Sequence, residues 1–317
     1  MMPALEVAAP GLLATVQDLG RGGYQQRGVP VSGGMDLYAL QIANLLVGNP
    51  RGAAVVEFAL RGPLLKALDD RVVAVCGADF GANVGGQPRP AWKSFLLRSG
   101  EVLEFARPAR GVWGYLAVAG GIDVPPLMGS RSTYLRGKFG GYLGRALAAG
   151  DVLNAGEIPG AAREGRALAP SQIPQYGRAA VARIVLGPQQ AAFVPAAMDA
   201  LLSAEYEVSG QSDRMGYRLK GPPLRHVDKA DILSEAVAAG TVQVPADGQP
   251  IVLLADRQPT GGYAKIATVI SVDIVRVAQL PPGGRLQFKA VDVPTAQAAA
   301  CGLEALLETL RRGCGVP

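Results

Sequence analysis

The stretch Ile251-Val252-Leu253-Leu254-Ala255-Asp256-Arg257-Gln258-Pro259-Thr260-Gly261-Gly262-Tyr263-Ala264-Lys265-Ile266 decides how the chain is read. Its first five residues are apolar and rich in β formers, which predicts a buried strand. That strand delivers Asp256, Arg257 and Gln258 in succession, a carboxylate, a guanidinium and an amide at a rigid rim. Pro259 and Gly261-Gly262 predict a turn, and the apolar run Ile266 to Ile270 carries the chain away. The double glycine would let a ligand approach the backbone closely. The alternative is a tight turn closed by a structural Asp–Arg ion pair.

Working outward, the same texture recurs. The chain has 317 residues with 42 glycines and 24 prolines. Short apolar runs between turn residues favour a mainly β fold with a few helices, α+β in class. Leu5 to Val16 predicts strand, turn, strand around Pro10-Gly11. Val55 to Leu60 and Arg71 to Cys76 are further strands. Residues 155–178, rich in Pro, Gly and Ala, form a connector between an N-terminal lobe, 1–165, and a C-terminal lobe, 166–317. The second lobe opens near Ala182 with the strand Arg183 to Leu186, followed by a helix carrying Phe193, Met198, Leu201 and Leu202. It closes with an amphipathic helix from about Thr295 to Arg312. Faint echoes, such as Val72 to Val75 before Gly85-Gly86 against Ile251 to Leu254 before Gly261-Gly262, suggest two related lobes.

Several function classes are disfavoured. The net charge is +5, yet no basic run tracks a phosphate backbone, so nucleic acid is not an expected partner. Cys76, Cys301 and Cys314 have no CxxC spacing, and Cys76 belongs to an apolar core strand. The single histidine, His226, excludes a multi-histidine metal site and a Ser-His-Asp set, and is expected at the surface; no metal site is expected. No apolar run spans a membrane, and the N-terminus lacks a signal-peptide pattern, so a cytoplasmic location is expected. Gly137-Lys138 lacks the upstream spacing of a phosphate-binding loop, and no biotin-carrier sequence is present.

The candidate chemistry lies in three Asp-Arg turns, Asp18/Arg21, Asp213/Arg214 and Asp256/Arg257, with Lys265. Each pair taken alone suits a structural ion pair. Gathered in one cleft, the carboxylates could position water or a metal-bound phosphate, and the arginines could grip a carboxylate or phosphate. A helix is predicted from about Met35 to Val47 behind a glycine loop. Ser32 or Gly33-Gly34 would sit at its N-cap, Asp36 in its first turn and Gly48 at its C-cap. Such an entry, with Ser32, Gly34 and Asp36, can hold an anion. Asn44 is a core amide or a ligand contact, and Glu57 a solvent-facing residue or a buried acid with a partner.

These motifs together resemble a known family. Thr15-Val16-Gln17-Asp18-Leu19-Gly20-Arg21, Ser32-Gly33-Gly34-Met35-Asp36, Gly129-Ser130-Arg131-Ser132-Thr133, Ser212-Asp213-Arg214-Met215-Gly216 and Asp256-Arg257-Gln258 with Thr260-Gly261-Gly262-Tyr263 are similar to the KipA family. It is also called the 5-oxoprolinase C-subunit family, the allophanate hydrolase subunit 2 family or the biotin-dependent carboxyltransferase family. The resemblance runs the length of the chain and implies a cyclophilin-like β-barrel architecture. It implies a KipI-type B subunit and a LamB/YcsF-type A subunit, together an enzyme that hydrolyses 5-oxo-L-proline to L-glutamate with ATP and Mg. It also implies an alternative, carboxyl transfer from biotin to urea or a similar amide, and a third, a KipI-binding regulator without catalysis. Asp18, Arg21, Asp213, Arg214, Asp256, Arg257 and Lys265 are then the expected catalytic group. Ser32, Gly34, Asp36, Thr260, Gly262 and Tyr263 are the expected cofactor contacts. Ala264 departs from the family's pattern, where proline is expected.

Overall fold

A computed structural model describes residues 2–316. The chain forms two compact units. The first takes in the N-terminal residues up to Arg21, Ser32–Gln175 and the residues from Ala305; the second is Gly22–Val31 with Tyr176–Glu304. Among the described residues the fold is mostly β, with four α-helices: α1 Leu37–Leu46, α2 Pro195–Ser203, α3 Ile274–Ala278 and α4 Val293–Gly313. Among the described residues no helix is long and apolar enough to cross a membrane.

The first unit contains two sheets. One has the strand order Val152–Ala155, Met2–Ala9, Leu64–Ala67, Val102–Glu104, Asn83–Val84, Gln87–Pro88. The other has the order Leu13–Gln17, Val55–Ala59, Trp113–Val118, Arg71–Gly77, Lys93–Leu97. The predicted strand pair around Pro10-Gly11 is present, but its two strands enter different sheets. Gly11, at φ +71°, makes the crossing possible, because a Cβ there would lie 2.3 Å from the Arg61 carbonyl oxygen. Val7, Leu65 and Leu103 of the first sheet share one core with Val16, Val56, Phe58, Val73, Val75, Leu116 and Val118 of the second.

Side chains alternate across a strand, so the opposite face of the five-stranded sheet carries Thr15, Glu57, Tyr115 and Cys76, which are register partners in one row. There α1 packs on the strands Arg71–Gly77 and Trp113–Val118. The helix is buried nearly all round, as expected for one covered on both sides. Glu57 is a buried acid. Its Oε2 accepts from the Tyr115 hydroxyl at 2.8 Å and the Met35 amide at 2.7 Å, while the Tyr115 oxygen accepts from the Asp36 amide at 2.7 Å. Asp36 is the N-cap of α1, not a first-turn residue, and its Oδ1 accepts from the Ala39 amide at 2.9 Å. Val47 is the C-cap, with Gly48 following at φ +82°. Asn44 is a core amide, bonded to the Ala53 carbonyl and to Asn49. Burial pushes the Cys76 thiol well up, as an inert core position requires.

The second unit is built on a closed seven-stranded barrel. Its order is Ala179–Leu186, Lys265–Val269, Thr241–Gln243, Ile251–Leu253, Gly216–Lys220, Glu205–Val208, Arg285–Ala290, and the last strand pairs in parallel with the first. Buried residues at alternate positions, among them Ala182, Ile184, Tyr206, Val208, Tyr217, Leu219, Leu286 and Phe288, supply apolar side chains along its strands. His226 is half-buried, its ring 4.5 Å from that of Phe193, and burial lowers its pKa. Gly261-Gly262 is not a tight turn. Thr260–Tyr263 is a strand that pairs with Asp231–Ala236 in a separate ribbon.

Removing the Tyr115 hydroxyl tests the hydrogen-bonded row. Tyr115→Phe leaves a buried carboxylate and a buried amide each short of a partner, and should cost about 1–3 kcal/mol. The midpoint of urea denaturation should fall with an unchanged slope.

Candidate functional site

The barrel strand Ile251–Leu253 delivers Asp256 and Arg257 just beyond its end, at the barrel rim. Gly216 is opposite Leu253 in the antiparallel pair. Beyond the strand ends the backbones stay joined, the Leu254 amide donating to Met215 at 2.9 Å and the Asp256 amide to Arg214 at 2.9 Å. Arg214 and Asp256 are therefore held face to face. Arg214 donates from Nε to Oδ2 at 2.9 Å and from Nη2 to Oδ1 at 3.2 Å, with each side chain about 6% exposed. This is a bidentate, buried fork, and it joins residues from two of the sequence-adjacent turns. Asp213 serves its own turn, its Oδ1 accepting from the Met215 amide at 2.8 Å.

Arg257 follows the pair. Its Nη1 donates to the Leu254 carbonyl at 3.1 Å, while its Nε is buried with no hydrogen-bond partner among the described residues. Burial lowers its pKa from the usual value. A buried donor without an acceptor is uncommon in a native fold.

Lys265 begins the barrel strand beside this rim segment in sequence and is 8% exposed. It pairs with Glu235 of the ribbon, which holds the Glu235 carboxyl below its usual range. Gln189 accepts from the Lys265 amide at 3.3 Å and donates to Glu235 at 3.3 Å. Thr260, Gly262 and Tyr263 lie on the other ribbon strand, with Tyr263 39% exposed. A Cβ at Gly261 would fall 2.4 Å from Nε2 of the buried Gln243, so any larger residue here would displace that amide.

The remaining candidates belong to the first unit. Asp18 clasps the loop Leu127–Thr133. Its carboxylate accepts from the hydroxyls of Ser130 and Ser132 and from the amides of Gly20 and Arg131. Fully buried Arg21 donates to the carbonyls of Leu127 at 3.1 Å and Ser132 at 2.8 Å, and lies 5.0 Å from the Phe139 ring centre. Ser32 is buried at φ +57°, and its Oγ has no hydrogen-bond partner among the described residues. At the entry of α1 the amides of Met35, Asp36 and Ala39 already donate to Glu57, Tyr115 and Asp36. Among the described residues no group of three or more His, Cys, Asp or Glu side chains is placed to hold a metal ion.

Glu235 and Gln189 are the partners that the linear sequence does not single out, since both reach Lys265 through strand and loop pairings 30 and 76 residues distant. A charged residue in the largely exposed strand Asp231–Ala236 is the one local signal, and it is a weak one.

With this geometry in view, similarity to other proteins becomes informative. Residues 27–290 match the carboxyltransferase domain, subdomain A and B, family. The chain belongs to that family. A relative in Escherichia coli, the C subunit of 5-oxoprolinase, is 40% identical over 90% of both chains. The protein of the same name in Haemophilus influenzae is 36% identical over 94% of this chain and 95% of its own. Among solved structures, the Kluyveromyces lactis urea amidolyase matches 98% of this chain with a TM-score of 0.93 at 29% identity. This chain spans 20% of that much longer protein.

Asp256→Ala should destabilise the protein by about 3–5 kcal/mol, because it leaves a buried guanidinium without its carboxylate. Asp213→Ala, which removes only a turn contact, should cost about 1 kcal/mol or less. Paired denaturation curves check the contrast.

Proposed function

We propose that this chain is the C subunit of a cytoplasmic ATP-dependent 5-oxoprolinase, working with a KipI-type B subunit and a LamB/YcsF-type A subunit. The observation that carries the reading is the 40% identity, over 90% of both chains, to a protein named as the C subunit of 5-oxoprolinase.

Opening the lactam requires an activated carbonyl, a water delivered to its carbon and a proton for the departing nitrogen. ATP would supply the activation by phosphorylating the lactam oxygen, and that phosphoryl group would leave as phosphate once water has added and the C–N bond has broken, giving glutamate, ADP and phosphate. The rim suits an anionic substrate. Arg257 offers an unmet buried donor to a carboxylate or phosphoryl oxygen, and the Arg214–Asp256 fork fixes the backbone that carries it. We assign Lys265 Nζ, held between Glu235 and its strand, the proton for the leaving nitrogen. Thr260, Gly262 and Tyr263 would line the approach. Asp18 and Arg21 would act by holding the serine loop, and Asp213 by shaping the turn that presents Arg214. The helix entry at Ser32, Gly34 and Asp36 has its amides engaged by protein acceptors, so the phosphate donors are assigned to Arg257 instead.

A second reading has a specific support in the TM-score of 0.93 to urea amidolyase. In that reading the chain transfers carboxyl from biotin, delivered on a separate carrier, to urea or a similar amide.

The test is a mixture of the three purified chains assayed for ATP-dependent glutamate release from 5-oxoproline. Omission of this chain should abolish release. Arg257→Ala should lower kcat/KM by about 100-fold, the loss typical of a charge-stabilising donor, and Arg257→Lys should recover part of it. Full activity without this chain contradicts the proposal. Full activity with Arg257→Ala moves the chain to a regulatory role. Carboxyl transfer to urea without glutamate release selects the second reading.

A further inference from the structure

A pocket of about 230 Å³ opens in the first unit, away from every residue discussed as a candidate for chemistry. Ile42, Leu45 and Leu46 of α1 form one wall, and Leu168 and Leu310 close it. Among its described lining residues the only charged side chain is Arg166, and none carries a carboxylate. The nearby acid Glu308 is engaged by Arg311 and Arg312.

Arg166 is fixed at its backbone. Its amide donates to Ser94 Oγ at 3.0 Å, and its carbonyl accepts from the Ser94 amide at 2.8 Å. Yet its Nη1 is buried with no hydrogen-bond partner among the described residues. Cys314, half-buried, lines the same pocket. Burial pushes its thiol up while the Arg166 guanidinium pulls it the other way, which places the positive charge close to the sulfur.

Apolar walls around one unmet guanidinium donor define a ligand with one anionic head and an aliphatic body. A phosphate dianion would need more donors than this pocket supplies. We infer that the pocket between α1 and the end of α4 binds a short aliphatic monocarboxylate, its head on Arg166 and its tail against Ile42, Leu45 and Leu310. Such binding is independent of whether the chain is an oxoprolinase component.

Cys314 reports on occupancy. The full chain is treated with iodoacetamide in a titration of hexanoate, hexanol or inorganic phosphate, and modification is read by peptide mass spectrometry, with exposed Cys301 as internal control. Hexanoate should slow modification of Cys314 by about fivefold or more, with half-protection at or below about 5 mM, and leave Cys301 unchanged. Hexanol and phosphate should protect weakly or not at all. Arg166→Gln should abolish protection and Arg166→Lys should keep part of it. Leu310→Trp, which fills the pocket with Arg166 in place, should also abolish it, so the test survives if Arg166→Gln fails to fold. No protection by hexanoate at about 50 mM overturns the inference. So does equal protection by hexanol or by phosphate, or protection that persists in folded Arg166→Gln.

Discussion

The rim of the barrel depends on one buried ion pair. Two charges removed from water are tolerated only when they meet in good geometry with their remaining donors and acceptors engaged. Arg214 and Asp256 meet that condition because their backbones are hydrogen-bonded to each other just past the ends of paired strands. The pair fixes where Asp256 stands, and the next residue, Arg257, is thereby fixed with a donor unmet. A stability element and a candidate binding element are thus adjacent positions of one turn. The barrel supplies the rigidity that a loop alone would lack, since closing a sheet removes its edges and sets each strand end relative to the others.

The first unit uses a different buried polar device. Glu57, Tyr115 and the Met35 and Asp36 amides form a chain across the five-stranded sheet and up into α1. An acid stands where a helix entry would otherwise invite an external anion. Asp18 repeats the logic on the serine loop, with its carboxylate serving hydroxyls and amides of Gly129–Thr133. In both places a carboxylate organises backbone, so the sequence motif around it is a folding motif as much as a chemical one.

How much of this was legible in the linear sequence depends on range. Alternation and turn residues were enough for the β-rich class, the buried strand at Ile251 and the final helix. Glu57, an acid inside an apolar run, left open an acid with a partner, and its partner is its cross-strand neighbour. The pairing of Arg214 with Asp256 was hidden. Forty-two residues separate them, and only the order of strands in the barrel brings them together, which no local period encodes. Asp213/Arg214 and Asp256/Arg257 looked like two local pairs because adjacency is what a sequence displays. Gly261-Gly262 looked like a turn because glycine usually marks one. Here Gly261 makes room for the Gln243 side chain inside a paired strand. The helix entry differed for a similar reason: Asp36 suits a first turn or a cap equally well, and the Tyr115 hydroxyl beneath it selects the cap.

The most direct measurement replaces the ion pair without breaking the fold. Arg214→Met with Asp256→Leu substitutes an apolar pair of similar volume, a change that is often neutral or stabilising for a buried ion pair. If the pair serves to hold Arg257 for an anionic substrate, the double variant should fold with its denaturation midpoint nearly unchanged. In the reconstituted three-chain mixture its KM for 5-oxoproline should then rise about tenfold or more. A double variant that is equally stable and turns over 5-oxoproline with unchanged kcat and KM would contradict the account.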